Sequence, residues 1–335
     1  MDVPIISLES ANQRLQLAPT LGGGVTAWDW KSAGQSTSKW TPIFRPWNRL
    51  MSDRYTLACF PLVPWSNRIT HGGFEQDGVF YPIRPNREDE RYPIHGDGWL
   101  QSWQTVDHAE SSVRVLLESH ASDGTPYHYV STQTFTLLPS GMEIILDVTH
   151  LGDRPLPYGL GLHPYFVRNA ATRLLWKTTG VWLSGDDLIP KVHTQDFPPT
   201  WDYSAPSSVE GPLIDNCFTG WNGKARIEYP DRGLTVAMSM ADCKGDSLMY
   251  RPPGQAYFCL EPITHPIDVA LGLFKDEFGR NQRRYFLNMA SAGLSALVAR
   301  RVNRTPRIIP PGIAYYAQAA RSFASAKPQS IKVIA

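Results

Sequence analysis

Apolar and polar residues alternate with period two along much of this chain. Within residues 142–149, Met142, Ile144, Leu146 and Val148 share one face, with Glu143, Asp147 and Thr149 opposite. Residues 234–240 repeat the pattern, residues 113–118 follow it less cleanly, and residues 130–137 are rich in β-branched side chains. Successive side chains of a strand point to opposite faces, so these segments predict half-buried strands. Turn chemistry separates them at Ser122-Asp-Gly124, Pro139-Ser-Gly141, Gly152-Asp153 and Pro230-Asp-Arg-Gly233. The 28 prolines and 26 glycines are spread along the chain, as many short strands and turns require. No amphipathic helix precedes residue 280. The pattern predicts an all-β protein, a large antiparallel β-sandwich.

Two stretches break the alternation and predict long loops. Residues 84–92 are charged and lead into His95, and residues 182–212 contain Ser-Gly-Asp-Asp, Pro-Pro and Ala-Pro-Ser-Ser. Long loops on a rigid scaffold often carry function, although a tolerated surface insertion would look the same.

The 335 residues exceed an average domain, but all-β domains often run past ~200 residues as one unit. At 42% hydrophobic and 11% aromatic, the chain can bury a large core. Its net charge of +1 excludes a globally basic nucleic-acid binder. The charge is unevenly placed. Residues 271–335 hold 11 basic and 2 acidic side chains, a net of +9, and residues 1–270 carry −8. We therefore expect a β-sandwich over 1–270 and an atypical basic segment over 271–335, with a helix around 285–302. That segment has three readings: a genuine extension, a divergent closing strand, or an altered reading frame near 270.

No apolar stretch approaches the ~20 residues that span a bilayer, and the N-terminus lacks the pattern of a signal peptide. Cys59, Cys217, Cys243 and Cys259 show no CxxC spacing and read as buried free thiols. These features predict a cytoplasmic protein, monomeric or homodimeric, with no membrane or nucleic-acid partner.

Four fragments place polar side chains beside glycine, proline or an aromatic ring: Pro64-Trp-Ser-Asn-Arg-Ile69, His95-Gly-Asp-Gly-Trp99, Gly161-Leu-His-Pro-Tyr-Phe166 and Leu260-Glu-Pro-Ile-Thr-His-Pro266. That combination suits a sugar pocket, where rings stack on flat apolar faces and polar groups meet hydroxyls. Glu261 ends an apolar strand and precedes Pro262, a context that fits either a general base or a structural ion pair. His163, extended by Pro164, reads as a pocket residue or as a hydrogen-bonded core histidine. His95 lies beside two glycines, which permit close approach of backbone to a ligand or simply make a turn. Arg68 offers a fork of donors for hydroxyl oxygens, or for a carboxylate. Asp215 fits a sugar-binding acceptor or a turn cap. HExxH, GxSxG and Walker motifs are absent. A metal set drawn from His95, His163, Glu261 and His265 is geometrically conceivable.

Taken in order, the fragments resemble the aldose 1-epimerase (galactose mutarotase) family. Asn67-Arg68, His95-Gly96, His163-Pro-Tyr-Phe166, Asp215-Asn-Cys-Phe218 and Glu261 with Thr264-His-Pro266 match its motifs in sequence order. The resemblance spans roughly residues 10–270, and the motif forms look like an uncharacterised bacterial branch. It implies a galactose mutarotase-like supersandwich and chemistry without metal or organic cofactor. It also implies Glu261 as base and His163 as acid, with Asn67, Arg68, His95 and Asp215 binding a sugar. On that basis we expect interconversion of the anomers of a free aldose, with a bell-shaped pH profile. The alternatives are a non-catalytic carbohydrate-binding protein, or a hexose-6-phosphate 1-epimerase using Arg84, Arg87 and Arg91, an anion site that Glu88, Asp89 and Glu90 among them would weaken. After residue 270 the family's closing strand has no visible counterpart.

Overall fold

A computed structural model describes residues 3–31, 40–49, 54–241 and 245–265, together with the strands Val269–Lys275 and Asn281–Leu287. Cys243 lies outside the described residues, and Cys59, Cys217 and Cys259 are buried free thiols. The described residues form strands, joined by loops and by four 3-10 turns of three residues each. No described helix is long and apolar enough to cross a membrane.

The strands form a large antiparallel sandwich. Gly141–His150, Tyr129–Leu138, Ser112–Ser119 and Gln104–His108 lie side by side in that order. The predicted alternation holds there: Met142, Ile144 and Leu146 are buried, as are Val113, Val115 and Leu117. Ser131 and Gln133 also face inward, and both are satisfied. Ser131 Oγ donates to the Asp147 carbonyl (2.6 Å) and Gln133 Nε2 to that of Gly23 (3.0 Å). The second bond, with Gln13 Nε2 donating to the Leu138 carbonyl (2.7 Å), ties this sheet to the N-terminal one. That sheet runs Ile6–Glu9, Gln13–Ala18, Gly24–Trp30, Thr41–Pro42. Side chains from both sheets share one buried core with Leu174, Trp176, Phe218, Ile227, Val236 and Phe258.

A six-stranded sheet is the part that matters for function. Its order is Tyr165–Val167, Tyr257–Pro262, Asp246–Arg251, Ile214–Thr219, Gly180–Ser184, Pro190–Thr194. The last two strands correct the expected long loop over 182–212, which instead contains a hairpin, a 3-10 turn (Pro199–Trp201) and the short strand Ser207–Ser208. Alternation failed there because Pro190–Thr194 is an edge strand exposed along most of its length, so no core face imposes a period. The Ser-Gly-Asp-Asp cluster forms the hairpin tip, which ends in Leu188 at φ +60°.

Val269–Lys275 and Asn281–Leu287 pair as an antiparallel hairpin that lies beside Gly73–Gln76. The helix expected over 285–302 thus begins inside a strand, and its remainder lies outside the described residues.

Candidate active site

The four polar fragments are hydrogen-bonded neighbours. Pro61–Leu62 pairs with Gly161–Leu162, and Gly161 bridges to Ile263. Arg68 bridges to Ile94, and Val63 to Gly96. The His163 amide donates to the Phe60 carbonyl (3.0 Å), and the His95 amide to that of Asn67 (2.9 Å). Two glycine-like conformations mark the crossing, with Asn67 at φ +60° and His95 at +62°. Non-glycine residues rarely adopt these angles, and asparagine and histidine are among those that tolerate them best. Gly96 is required outright, since a Cβ there would sit 2.0 Å from the Val63 carbonyl oxygen. The 84–92 loop is fixed by Asn86, whose amide nitrogen donates to the carbonyls of Ile94 and Gly96, both at 2.7 Å.

These crossings wall a cavity of about 320 Å³, and one face of the six-stranded sheet makes its floor. The register explains the floor. Asp215 pairs with Tyr250 and Leu248 with Glu261, so all four side chains share one face. The strand runs on through Glu261 to Pro262, so the carboxylate projects from the sheet and not from an exit turn. Asn67, Arg68, His95, His163, Asp215 and Glu261 all line this one cavity. Tyr165, from the His163-Pro-Tyr-Phe166 fragment, and Glu90, from the charged 84–92 loop, line it too, as do Tyr55 and Tyr257, which no motif had marked.

Two charged groups of residues face the cavity. In the first, His163 Nε2 lies 3.4 Å from Glu261 Oε1. Both residues are buried, at 5% and 3% exposure, and among the described residues neither His163 Nδ1 nor Glu261 Oε2 finds a hydrogen-bond partner. Tyr165 stacks on the imidazole (centroids 4.6 Å apart, planes 14° apart), and Phe60 lies 4.7 Å away. Burial pulls the His163 pKa down to about 3, with Arg45 adding to the effect. Burial pushes Glu261 well above the carboxylate range, reinforced by Asp215 and opposed by Arg68. Burial thus disfavours a charge on either partner and favours a proton on the glutamate over one on the imidazole.

In the second, Glu90 grips Arg68 through both carboxylate oxygens. Arg68 Nε donates to Oε2 and Nη2 to Oε1, each at 3.1 Å. Arg68 Nη1 donates to Asn67 Oδ1 (3.4 Å) and lies 3.7 Å from Asp215 Oδ2. Burial raises the Asp215 pKa, Arg68 opposes the rise and Glu90 adds to it. His95 accepts from the Asn67 amide on Nδ1 (3.1 Å), which places its proton on Nε2. Burial, His163 and Arg68 hold that ring neutral, so it presents an N–H donor.

His265 does not join them. Its Nε2 accepts from the Ser66 amide (3.4 Å), and it is absent from the cavity lining. The set His95, His163, Glu261 and His265 is therefore not assembled. Among the described residues, the group spaced to hold a metal is Glu118, His120 and His128, on an outer face of the sandwich. Arg84, Arg87 and Arg91 do not line the cavity either. Arg87 is held by Asp89 (2.5 Å) and lies over the Tyr55 ring at 4.1 Å.

Residues 4–288 match the family described as aldose 1-epimerase. The chain belongs to the aldose 1-epimerase family. It is 33% identical over 253 residues to the uncharacterised Escherichia coli K12 protein YphB, covering 73% of this chain and 83% of YphB. A crystal structure of a candidate aldose 1-epimerase from Escherichia coli K12 superposes with a TM-score of 0.73 at 29% identity. That match covers 84% of this chain and 94% of the other. A galactose mutarotase-like protein from Clostridium acetobutylicum shares the fold, with a TM-score of 0.65 at 18% identity over 78% of this chain and 85% of that one. The family match runs to residue 288, through the hairpin that follows residue 268.

Proposed function

We propose that this aldose 1-epimerase family member interconverts the α and β anomers of a free aldose. The observation that carries the proposal is the buried His163–Glu261 contact at 3.4 Å, set in a cavity rimmed by hydroxyl-binding groups. Opening a cyclic sugar takes one proton from the C1 hydroxyl and adds one to the ring oxygen. A pair that shares a single proton can do both without exchanging with water. Glu261 takes the C1 proton as its carboxylate, and His163 as imidazolium delivers a proton to the ring oxygen. The C1–C2 bond then rotates, and closure on the other face returns both protons.

Starting from the neutral pair, this requires one proton to pass from Glu261 to His163 as the sugar binds. Sugar hydroxyls offer the carboxylate the hydrogen bonds that Glu261 Oε2 lacks, which favours that transfer. Arg68, Asp215, Asn67 and the His95 N–H hold the remaining hydroxyls, and the Tyr257 ring lines the cavity beside them. Each positioned acid or base contributes typically ~10²–10⁴-fold in rate.

A purely carbohydrate-binding role leaves the buried pair without a purpose, since burying titratable groups that bind nothing destabilises a fold. A phosphorylated sugar is disfavoured by charge. Arg68 is the one arginine or lysine among the described lining residues, and Glu90 already grips it through both carboxylate oxygens. The test is NMR exchange between anomers across a panel of aldoses. Acceleration over the protein-free rate for at least one aldose is expected; a folded protein that accelerates none contradicts the proposal.

A further inference from the structure

We infer that Glu90 sets the charge of the cavity, and so makes it select uncharged sugars over anionic ones. The inference rests on the function proposed above and adds a residue that the family motifs do not contain.

Arg68 is buried, at 7% exposure, and is the cavity's only cation among the described lining residues. Left to itself such a guanidinium is a natural anchor for phosphate or carboxylate, because its planar fork matches either geometry. Glu90 removes that option. It occupies Nε and Nη2, the edge best suited to a bidentate anion, and leaves only Nη1 toward Asn67 and Asp215. The electrostatic sum follows. Arg68 with Glu90 is neutral, Asp215 is offset by Arg45, whose guanidinium lies over the lining rings of Tyr165 (3.7 Å) and Tyr257 (4.4 Å), and the His163–Glu261 pair adds none while it keeps its proton. An anionic sugar entering this cavity finds Arg68 already committed to Glu90, whereas a neutral aldose finds acceptors and donors for its hydroxyls.

The sequence suggests that its acidic residues here oppose an anion, but not which of them does so. Glu90 lies in the run Arg87-Glu-Asp-Glu-Arg91, where any of three acidic residues could have turned inward. Glu88 and Asp89 are exposed, while Glu90 lines the cavity.

The test is titration of wild type, Glu90→Gln and Glu88→Gln with glucose and with glucose 6-phosphate by calorimetry, beside anomer exchange on the same samples. Glu90→Gln keeps the side-chain shape and removes one negative charge within a few ångströms of Arg68. We expect it to raise affinity for the phosphorylated sugar relative to glucose by about tenfold, the order set by a unit charge in a partly desolvated site. Glu88→Gln removes the same formal charge outside the cavity and is expected to leave the ratio unchanged. An unchanged ratio in Glu90→Gln overturns the inference, as does an equal shift in Glu88→Gln. Wild type binding both sugars equally well also overturns it. Failure of the epimerase proposal looks different: glucose binds, yet anomer exchange is not accelerated, and the binding ratio still decides the role of Glu90.

Discussion

At one end of the cavity, His163 and Glu261 make a single contact at 3.4 Å and leave two buried polar atoms without hydrogen bonds. At the other, Arg68 is held by Glu90 twice, by Asn67 once, and faces Asp215 at 3.7 Å. Both ends contain opposite charges, but Glu90 and Asp215 keep 20% and 21% of their side-chain surface exposed where Glu261 keeps 4%. The two ends differ further in their degree of satisfaction. A saturated cluster is rigid, keeps its charges and presents fixed groups to a ligand. An unsatisfied pair is poised, with its proton displaced by burial and free to move when a ligand supplies the missing bonds. We assign recognition to the first and proton transfer to the second.

This contrast can be broken in several ways. The largest effect is expected from His163→Asn, which should lower kcat for anomer exchange by ~10²–10⁴-fold. Combining it with Glu261→Gln should cost little more than the worse single change, because groups that move one proton act as a unit. Steady-state exchange rates for the two single variants and the double variant check this, and fully multiplicative losses would separate the two roles. At the saturated end, Asp215→Asn should raise KM about tenfold with little change in kcat, as expected for losing a charged hydrogen bond worth ~1.5–3 kcal/mol. A kcat loss as large as that of His163→Asn would erase the distinction between the two ends.

The pH profile sharpens the same point. The pair gains a second proton only near the depressed His163 value of about 3, and loses its only proton only near the raised Glu261 value. The acid limb of the bell expected from the sequence therefore moves below the free-histidine range, and kcat measured from pH 7 down to pH 5 should change by less than about threefold. A steep limb near pH 6.5, where free histidine titrates, would contradict the burial of His163.

A smaller effect concerns stability. His265, buried against the Ser66 amide and Gly159, has its pKa lowered to about 4 by burial. The unfolded ring takes a proton below about 6.5 while the folded ring does not. Stability is thus lost as pH falls from about 6.5 toward 4, by up to ~1.4 kcal/mol per pH unit for this group. Denaturant midpoints at pH 7 and pH 5 should differ less in His265→Asn than in wild type.

Much of this was legible in the sequence, and the limits have physical causes. Strands with one buried face announced themselves by period two, as in Gly141–His150. Three of the six candidate residues stood out because each precedes a residue that constrains the backbone: Gly96 after His95, Pro164 after His163, Pro262 after Glu261; Asn67, Arg68 and Asp215 were marked by their resemblance to family motifs. The hairpin ending in Pro190–Thr194 was not, because an exposed edge strand needs no pattern. Nor was the pairing of Glu90 with Arg68, which joins residues 22 apart through a loop whose charges looked interchangeable. Proximity of His265 to Glu261 in sequence was misleading, since the chain past Pro262 turns His265 toward Ser66.

The claim that an unsatisfied pair is the proton-transfer unit is tested most directly by Glu261→Gln, with anomer exchange followed by NMR and sugar binding measured in parallel. The account predicts at least a ~100-fold loss of exchange with affinity changed by less than about tenfold. Exchange that persists near the wild-type rate in a folded Glu261→Gln protein would contradict it.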